Sequence, residues 1–228
     1  PYTWGPAYQQ NRFFPEEIAT LGTPYILRDF RGQALTVYPF QYNPVTRVLR
    51  VYYNFTVKVR QTGTGGVNTI ERSSAQINPV SEYHEIYRNH FMNYGVSAVN
   101  YTPVGEDGNM LVISHSNFAS DMAPFVEWKN QQGIPCELVT LSTTGSTSSA
   151  IKNYVSTYYN TNGLTYLLLV GDAQYVPTNN GYNGDSDNEY AYISGNDHYP
   201  EFFVGRFSAE NSNHVQTMVE RTLNYEKT

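Results

Sequence analysis

The spacing of apolar positions along this chain changes from strand-like to helical and then to an alternation of the two. Over residues 1–80 the pattern is that of β-structure. Leu35-Thr36-Val37-Tyr38-Pro39-Phe40 and the run 48–59 are rich in β-branched and aromatic side chains, which suit a pleated, half-buried surface. In the second run Val51, Tyr53, Phe55, Val57 and Val59 fall on one face, the period-two signature of a strand. Between the runs, Asn43-Pro44-Val45-Thr46 predicts a hairpin turn, because proline presets φ and asparagine bonds its own backbone. Thr62-Gly63-Thr64-Gly65-Gly66 reads as a loop, since ordering so many glycines costs much chain entropy.

Helical spacing takes over at 82–94, where Tyr83, Ile86, Tyr87, Phe91 and Tyr94 share a face. Ser81 is the expected N-cap and Gly95 the stop. Residues 96–100 read as a small-residue linker. From 101 onward strands and helices alternate. Strands are expected at 110–114, 134–141, 164–170, 190–194 and 202–204, and helices at about 118–132, 148–160 and 211–227. Such alternation predicts an α/β domain with a mostly parallel sheet covered on both faces. The chain therefore divides into a β-rich region, 1–100, and an α/β region, 101–228. Ligands of open parallel sheets sit at the carboxyl ends of strands, and Asp172 follows the most apolar strand, 164–170.

Composition narrows the function classes. The chain has 228 residues, 14 basic and 20 acidic, with a formal charge of −6. That balance, without a Lys/Arg cluster, excludes a nucleic-acid surface. The single cysteine, Cys136, excludes an intrachain disulfide framework and a cysteine-based zinc site. No segment approaches the roughly 20 apolar residues that cross a bilayer. Pro1-Tyr2-Thr3-Trp4-Gly5 has neither the basic nor the apolar part of a signal peptide, so any such peptide is expected to have been removed.

Two candidate acidic sites stand out. Asp172 at a strand end, with Asp197 and Glu201 four residues apart in Gly195-Asn196-Asp197-His198-Tyr199-Pro200-Glu201, supplies oxygen donors of the kind Ca²⁺ takes, together with neighbouring carbonyls. The same spacing also fits a turn in which the aspartate caps the backbone and Glu201 is solvated. Asp185-Ser186-Asp187-Asn188-Glu189 is a second acidic cluster, but it lacks the ligand pattern of an EF-hand. Cys136 lies among apolar neighbours in an expected strand, a core setting rather than the electropositive one a nucleophilic thiolate needs. His84, His90, His115, His198 and His214 show no HExxH spacing. His115 is placed at the sheet's carboxyl edge, and His198 is expected to orient the acidic turn.

Residues 101–228 also resemble the first subdomain of the gingipain family of secreted cysteine peptidases. The matching segments are Tyr101-Thr102-Pro103-Val104, Phe125-Val126-Glu127-Trp128-Lys129-Asn130-Gln131, Leu168-Leu169-Val170-Gly171-Asp172, the acidic turn 195–201, Gly205-Arg206-Phe207-Ser208 and Tyr225-Glu226. Residues 1–100 resemble the end of that family's propeptide, through Arg28-Asp29-Phe30-Arg31 and 37–44. The resemblance implies a three-layer, caspase-like α/β subdomain preceded by an all-β propeptide-like region. It implies a calcium site on Asp172, Asp197 and Glu201 with the carbonyls of Ser194 and Tyr199. It further implies a catalytic Cys and His in a second subdomain beyond Thr228, protein or peptide substrates acting through the whole enzyme, and secretion or display at the cell surface. This chain alone is then inactive. Asn100 precedes Tyr101 where arginine-specific members carry a basic residue, so self-cleavage at that junction is not expected of an Arg- or Lys-specific enzyme. The competing expectations are a non-catalytic secreted binding or adhesion module and an inactive member of the family.

Overall fold

A computed structural model describes residues 3–70, 80–95, 108–181 and 183–228. The linker 96–100, the Asn100–Tyr101 junction and the segment 101–104 lie outside them. The chain forms two compact units, one of Pro1–Ile26 with Arg31–Ile70, the other of Leu27–Phe30 with Glu71–Thr228.

The first unit is built of short antiparallel strands. β1 (Ala19–Leu21) pairs with β4 (Leu35–Val37), and β5 (Phe40–Asn43) pairs with β6 (Val48–Val51). β2 (Tyr25–Leu27) and β3 (Phe30–Gly32) pair with each other, and their tip, Leu27–Phe30, belongs to the second unit. The expected hairpin turn is present: Asn43 Oδ1 accepts from the N–H groups of Val45 and Thr46, both at 3.1 Å. The expected long strand 48–59 is not. The Tyr52 N–H donates to Pro39 O at 2.8 Å, but Pro39 has no N–H to return and the ladder ends there. Tyr53 is accordingly 97% exposed.

In the second unit, four strands form one parallel sheet in the order β12-β9-β7-β8. They are β7 (Met110–Ser114), β8 (Cys136–Thr140), β9 (Tyr166–Val170) and β12 (Phe203–Phe207). Alternation along each strand sends side chains to two cores. Leu111, Ile113, Leu167 and Leu169 meet Ile151 and Val155 of α4 (Ser148–Asn162) on one face. Met110, Val112, Leu168 and Val170 meet Phe125 of α2 (Ala123–Gln131) and Val215 and Val219 of α5 (Ser212–Glu226) on the other. The result is the expected three-layer α/β arrangement.

Helix ends follow local chemistry. The Thr147 side chain accepts from Ala150 N at α4, and Asn211 does the same for His214 N at α5. The expected helix 118–132 splits into a 3₁₀ turn, Ser116–Met122, and α2, which starts beside Pro124. Proline supplies no N–H, so it suits the first turn of an α-helix. α1 (Ser81–His90) starts one residue earlier than expected, with Val80 as its cap, and ends four residues before Tyr94. A short helix, α3 (Leu141–Thr144), and a small hairpin of β10 (Asn179–Gly181) and β11 (Gly184–Ser186) were not expected. The expected strand 190–194 is instead a 3₁₀ turn, Asn188–Tyr190, followed by bends. Ala191 O there accepts from Glu201 N at 3.0 Å.

Candidate functional site

The carboxyl ends of β7 and β9 form the topological switch point of the sheet, because the chain runs outward to β8 on one side and to β12 on the other. Crevices at such points are where open α/β sheets bind ligands. Gly171 makes the turn off β9 at φ 127°, and a Cβ there would come within 2.9 Å of Tyr175 Cβ. Asp172 follows. Its Oδ1 accepts from Ser208 Oγ at 2.9 Å, and its pKa is held below the usual carboxylate range by the Ala173 main-chain N–H and then by that hydroxyl. His115 stands across from it at the end of β7. The His115 ring packs on Tyr175 and Phe118, with centroids 5.1 and 5.6 Å away, and its Nδ1 accepts from Asn117 N. His115 is thus a helix-capping, packed residue.

The acidic turn lies elsewhere. Phe203 pairs with Tyr166 at the start of β12 and β9, and Phe207 pairs with Val170 at their end. Glu201 precedes the first pair, whereas Asp172 follows the last. The two carboxylates are separated by the length of five-residue strands, about 16 Å at 3.3 Å per residue. The parallel register therefore does not bring Asp172 to the loop that holds Asp197 and Glu201. Among the described residues, no group of three or more His, Cys, Asp or Glu side chains is placed to hold a metal ion.

What remains together is Ser194, Asp197, Tyr199 and Glu201. Asp197 Oδ1 accepts from Tyr199 N at 3.1 Å, folding the turn on itself. His198 packs its ring on Tyr192 at 5.4 Å, so it does orient this loop. Glu201 is not solvated: it is 0% exposed. Its Oε2 accepts from Ile193 N at 2.6 Å, and its Oε1 is buried with no hydrogen-bond partner. Burial pushes this carboxyl up to about 7, and the Asp197 charge adds to the rise, against the Ile193 and Ser194 N–H groups and Lys152. Lys152 sits beneath the loop and donates to the carbonyls of Glu189 and Tyr192. Glu201 thus holds a buried, unpartnered carboxylate oxygen within reach of the Asp197 charge, oxygen donors of the kind a hard divalent cation takes.

Cys136 opens β8 opposite Met110, at the sheet's amino edge and away from the switch point. Burial pushes its thiol up to about 11. Such a group stays protonated at neutral pH and is a poor nucleophile.

In the second acidic cluster, Asp187 is an ion-pair partner. Asp187 accepts both prongs of the Arg206 guanidinium, which also donates to Gly171 O and Val176 O. Sequence reasoning passed over Arg206 as a site residue. The available signal was an arginine inside an apolar strand, a residue seldom buried without partners.

Comparison with known proteins follows the same division. Residues 104–228 match the model of peptidase family C25, and residues 1–91 match that of the C25 propeptide. Gingipain R2 of Porphyromonas gingivalis is 43% identical over 233 residues, covering 100% of this chain and 31% of that protein. Gingipain R1 of the same organism is 42% identical over 100% of this chain and 23% of its own length. The chain thus spans under a third of the curated relatives it matches. A solved complex of Porphyromonas gingivalis RgpB pro- and mature domains superimposes with a TM-score of 0.50 at 40% identity, over 52% of this chain and 29% of that one.

Proposed function

The chain belongs to peptidase family C25, and from that membership we propose that it is the propeptide tail and first α/β subdomain of a secreted, gingipain-like cysteine endopeptidase precursor. The observation that carries this reading is identity of 43% along all of the chain, running through both the propeptide and peptidase segments. The whole enzyme would cut peptide bonds by thiolate attack with a histidine partner. Cys136 does not serve as that thiol, being the chain's single cysteine and held protonated by burial at the wrong edge of the sheet. The catalytic pair comes from a second subdomain, to which this one supplies a wall. No helix of the described residues is long and apolar enough to cross a membrane.

The Glu201 loop is the calcium site of this reading. Asp197 and Glu201 would supply carboxylate oxygens, and Ser194 and Tyr199 main-chain carbonyls. When bound, the ion would neutralise the buried carboxylate and fix the loop between α4 and β12. Two measurements test the proposal. Thermal unfolding of this chain should shift upward on adding Ca²⁺ and fall on chelation, since a ligand at 100 times its Kd adds about 2.7 kcal/mol. Asp197→Ala and Glu201→Gln should abolish the shift, and Asp172→Ala should leave it intact; equal calcium shifts in all four proteins defeat the site. Separately, this chain alone should hydrolyse no peptide. The whole precursor should do so after maturation and stop on thiol alkylation, and turnover by the isolated chain that vanishes in Cys136→Ala overturns the division of labour.

A further inference from the structure

Arg28 sits at the tip between β2 and β3 with φ 46°, a left-handed conformation uncommon for a residue with a side chain. Its side chain is 9% exposed. A single nitrogen, Nη1, donates to Leu164 O at 2.6 Å and to Glu201 O at 2.8 Å. The guanidinium lies over the Tyr83 ring at 4.6 Å and faces Tyr159 at 5.8 Å. Asp29 stands 3.6 Å from Arg28 Nε, and Asp29 Oδ2 accepts from Tyr87 Oη at 2.6 Å. Tyr83 and Tyr87 are the buried residues of α1. The tip is thereby locked to α1, and both are applied to the same surface: Tyr83 packs on Phe203, Tyr166 Oη donates to Glu82, and His90 meets Tyr199 edge-on.

Among the described residues, Arg28 donates to two main-chain carbonyls of the second unit, Leu164 O and Glu201 O. Leu164 O and Glu201 O stand just before β9 and β12, where the main chain has left the ladder and its carbonyls need donors. A buried cation satisfying two such groups is a charge-assisted contact, and the aromatic rings add cation–π attraction that grows as water is excluded. The location is equally telling. These are the amino ends of the strands, the end of the sheet opposite the Asp172 crevice.

We infer that the Leu164–Glu201 carbonyl pair, roofed by Tyr159, is a guanidinium-binding pocket on the peptidase subdomain, and that Arg28 is the anchor by which the propeptide segment stays bound there independently of the cleft. The inference rests on the family reading only in naming which piece is propeptide, since Arg28 and α1 fall within 1–91 and the pocket within 104–228. The anchor acts as a clamp at the back of the sheet. Cutting the linker alone does not release the segment.

The full chain, carrying a recognition site for a sequence-specific protease within residues 96–107, is cut, and the dissociation constant of the amino-terminal piece is measured with and without Ca²⁺. The wild-type piece should remain bound. Arg28→Ala should raise the dissociation constant at least tenfold, and millimolar ethylguanidinium should recover part of the loss where ethylammonium does not. Arg28→Lys should weaken binding several-fold, because an ammonium cannot both stack flat on Tyr83 and reach two carbonyls. Arg12→Ala, which removes an exposed pair with Glu16, should change nothing. A dissociation constant for Arg28→Ala within twofold of wild type overturns the inference. If Arg28→Ala fails to fold before cutting, Arg28→Lys decides, and wild-type affinity in that variant overturns it too. Loss of the calcium-dependent melting shift with an intact Arg28 effect would sink the metal site and leave the anchor standing.

Discussion

Arg206 grips Asp187 with both prongs of its guanidinium, Nη2 to Oδ1 at 2.6 Å and Nε to Oδ2 at 2.7 Å. The pair joins the sheet edge strand β12 to the loop that leaves β9, and the remaining nitrogen, Nη1, closes the loop's base at Gly171 O and Val176 O. Removing the arginine leaves a part-buried carboxylate and two carbonyls without their donor. Arg206→Ala should therefore cost about 1–3 kcal/mol of unfolding free energy, measured by urea denaturation. Arg206→Lys should recover only part of it, because an ammonium cannot match the two-pronged geometry. A loss under 1 kcal/mol would show that the loop is held by other contacts.

Cys136 should react slowly. Lifting the thiol from an ordinary value near 9 to about 11 lowers the thiolate fraction at pH 8 roughly a hundredfold, and alkylation by iodoacetamide should slow by a similar factor relative to the unfolded chain. The sign for stability follows from linkage. The folded-state value lies above the unfolded one, so this group's contribution is complete below pH 9 and is lost as the pH rises through about 11. Alkylation at the rate of a free thiol would place Cys136 in a different environment.

Gly171 turns the chain off β9 with a positive φ and with Tyr175 Cβ in the way of any side chain. Gly171→Ala combines backbone strain with a clash, and should destabilise by about 1–3 kcal/mol. The check is a chemical denaturation curve with an unchanged slope. Asp172 would also be displaced from Ser208, so the crevice should lose its geometry with the fold still present.

Thr147 supports the start of α4 through one hydrogen bond from Ala150 N at 3.2 Å. Thr147→Ala should lower stability by about 1 kcal/mol, and Thr147→Ser or Thr147→Asp should hold it near wild type. Equal melting temperatures for Thr147→Ala and wild type would mean that the α4 start is fixed by packing of Ile151 alone.

Local patterns were legible wherever a residue's role depends on near neighbours. Asn43 wrote its own turn, and the apolar runs 110–114 and 164–170 wrote two buried strands. Cys136 could be read as a core thiol from its flanking residues. Three readings failed for one reason, that pairing partners lie far away in sequence. The strand expected over 48–59 stops at Val51 because Pro39, across the ladder, cannot return a hydrogen bond. The strand expected at 190–194 has no ladder to join. In the acidic cluster 185–189, Asp187 became half of an ion pair with Arg206, nineteen residues on.

The order of strand and helix periods, set by which side chains can face a core at spacings of two or 3.6, determined the α/β class, the parallel sheet and the list of acidic donors. Tertiary register decided which donors meet. Asp172 and Glu201 close opposite ends of the same strand pair, because β9 and β12 run parallel and each adds its length between them. The burial of Arg28 and Glu201 was likewise invisible along the chain. Both are ordinarily surface residues, and only the carbonyls, rings and N–H groups gathered by folding make their burial tolerable.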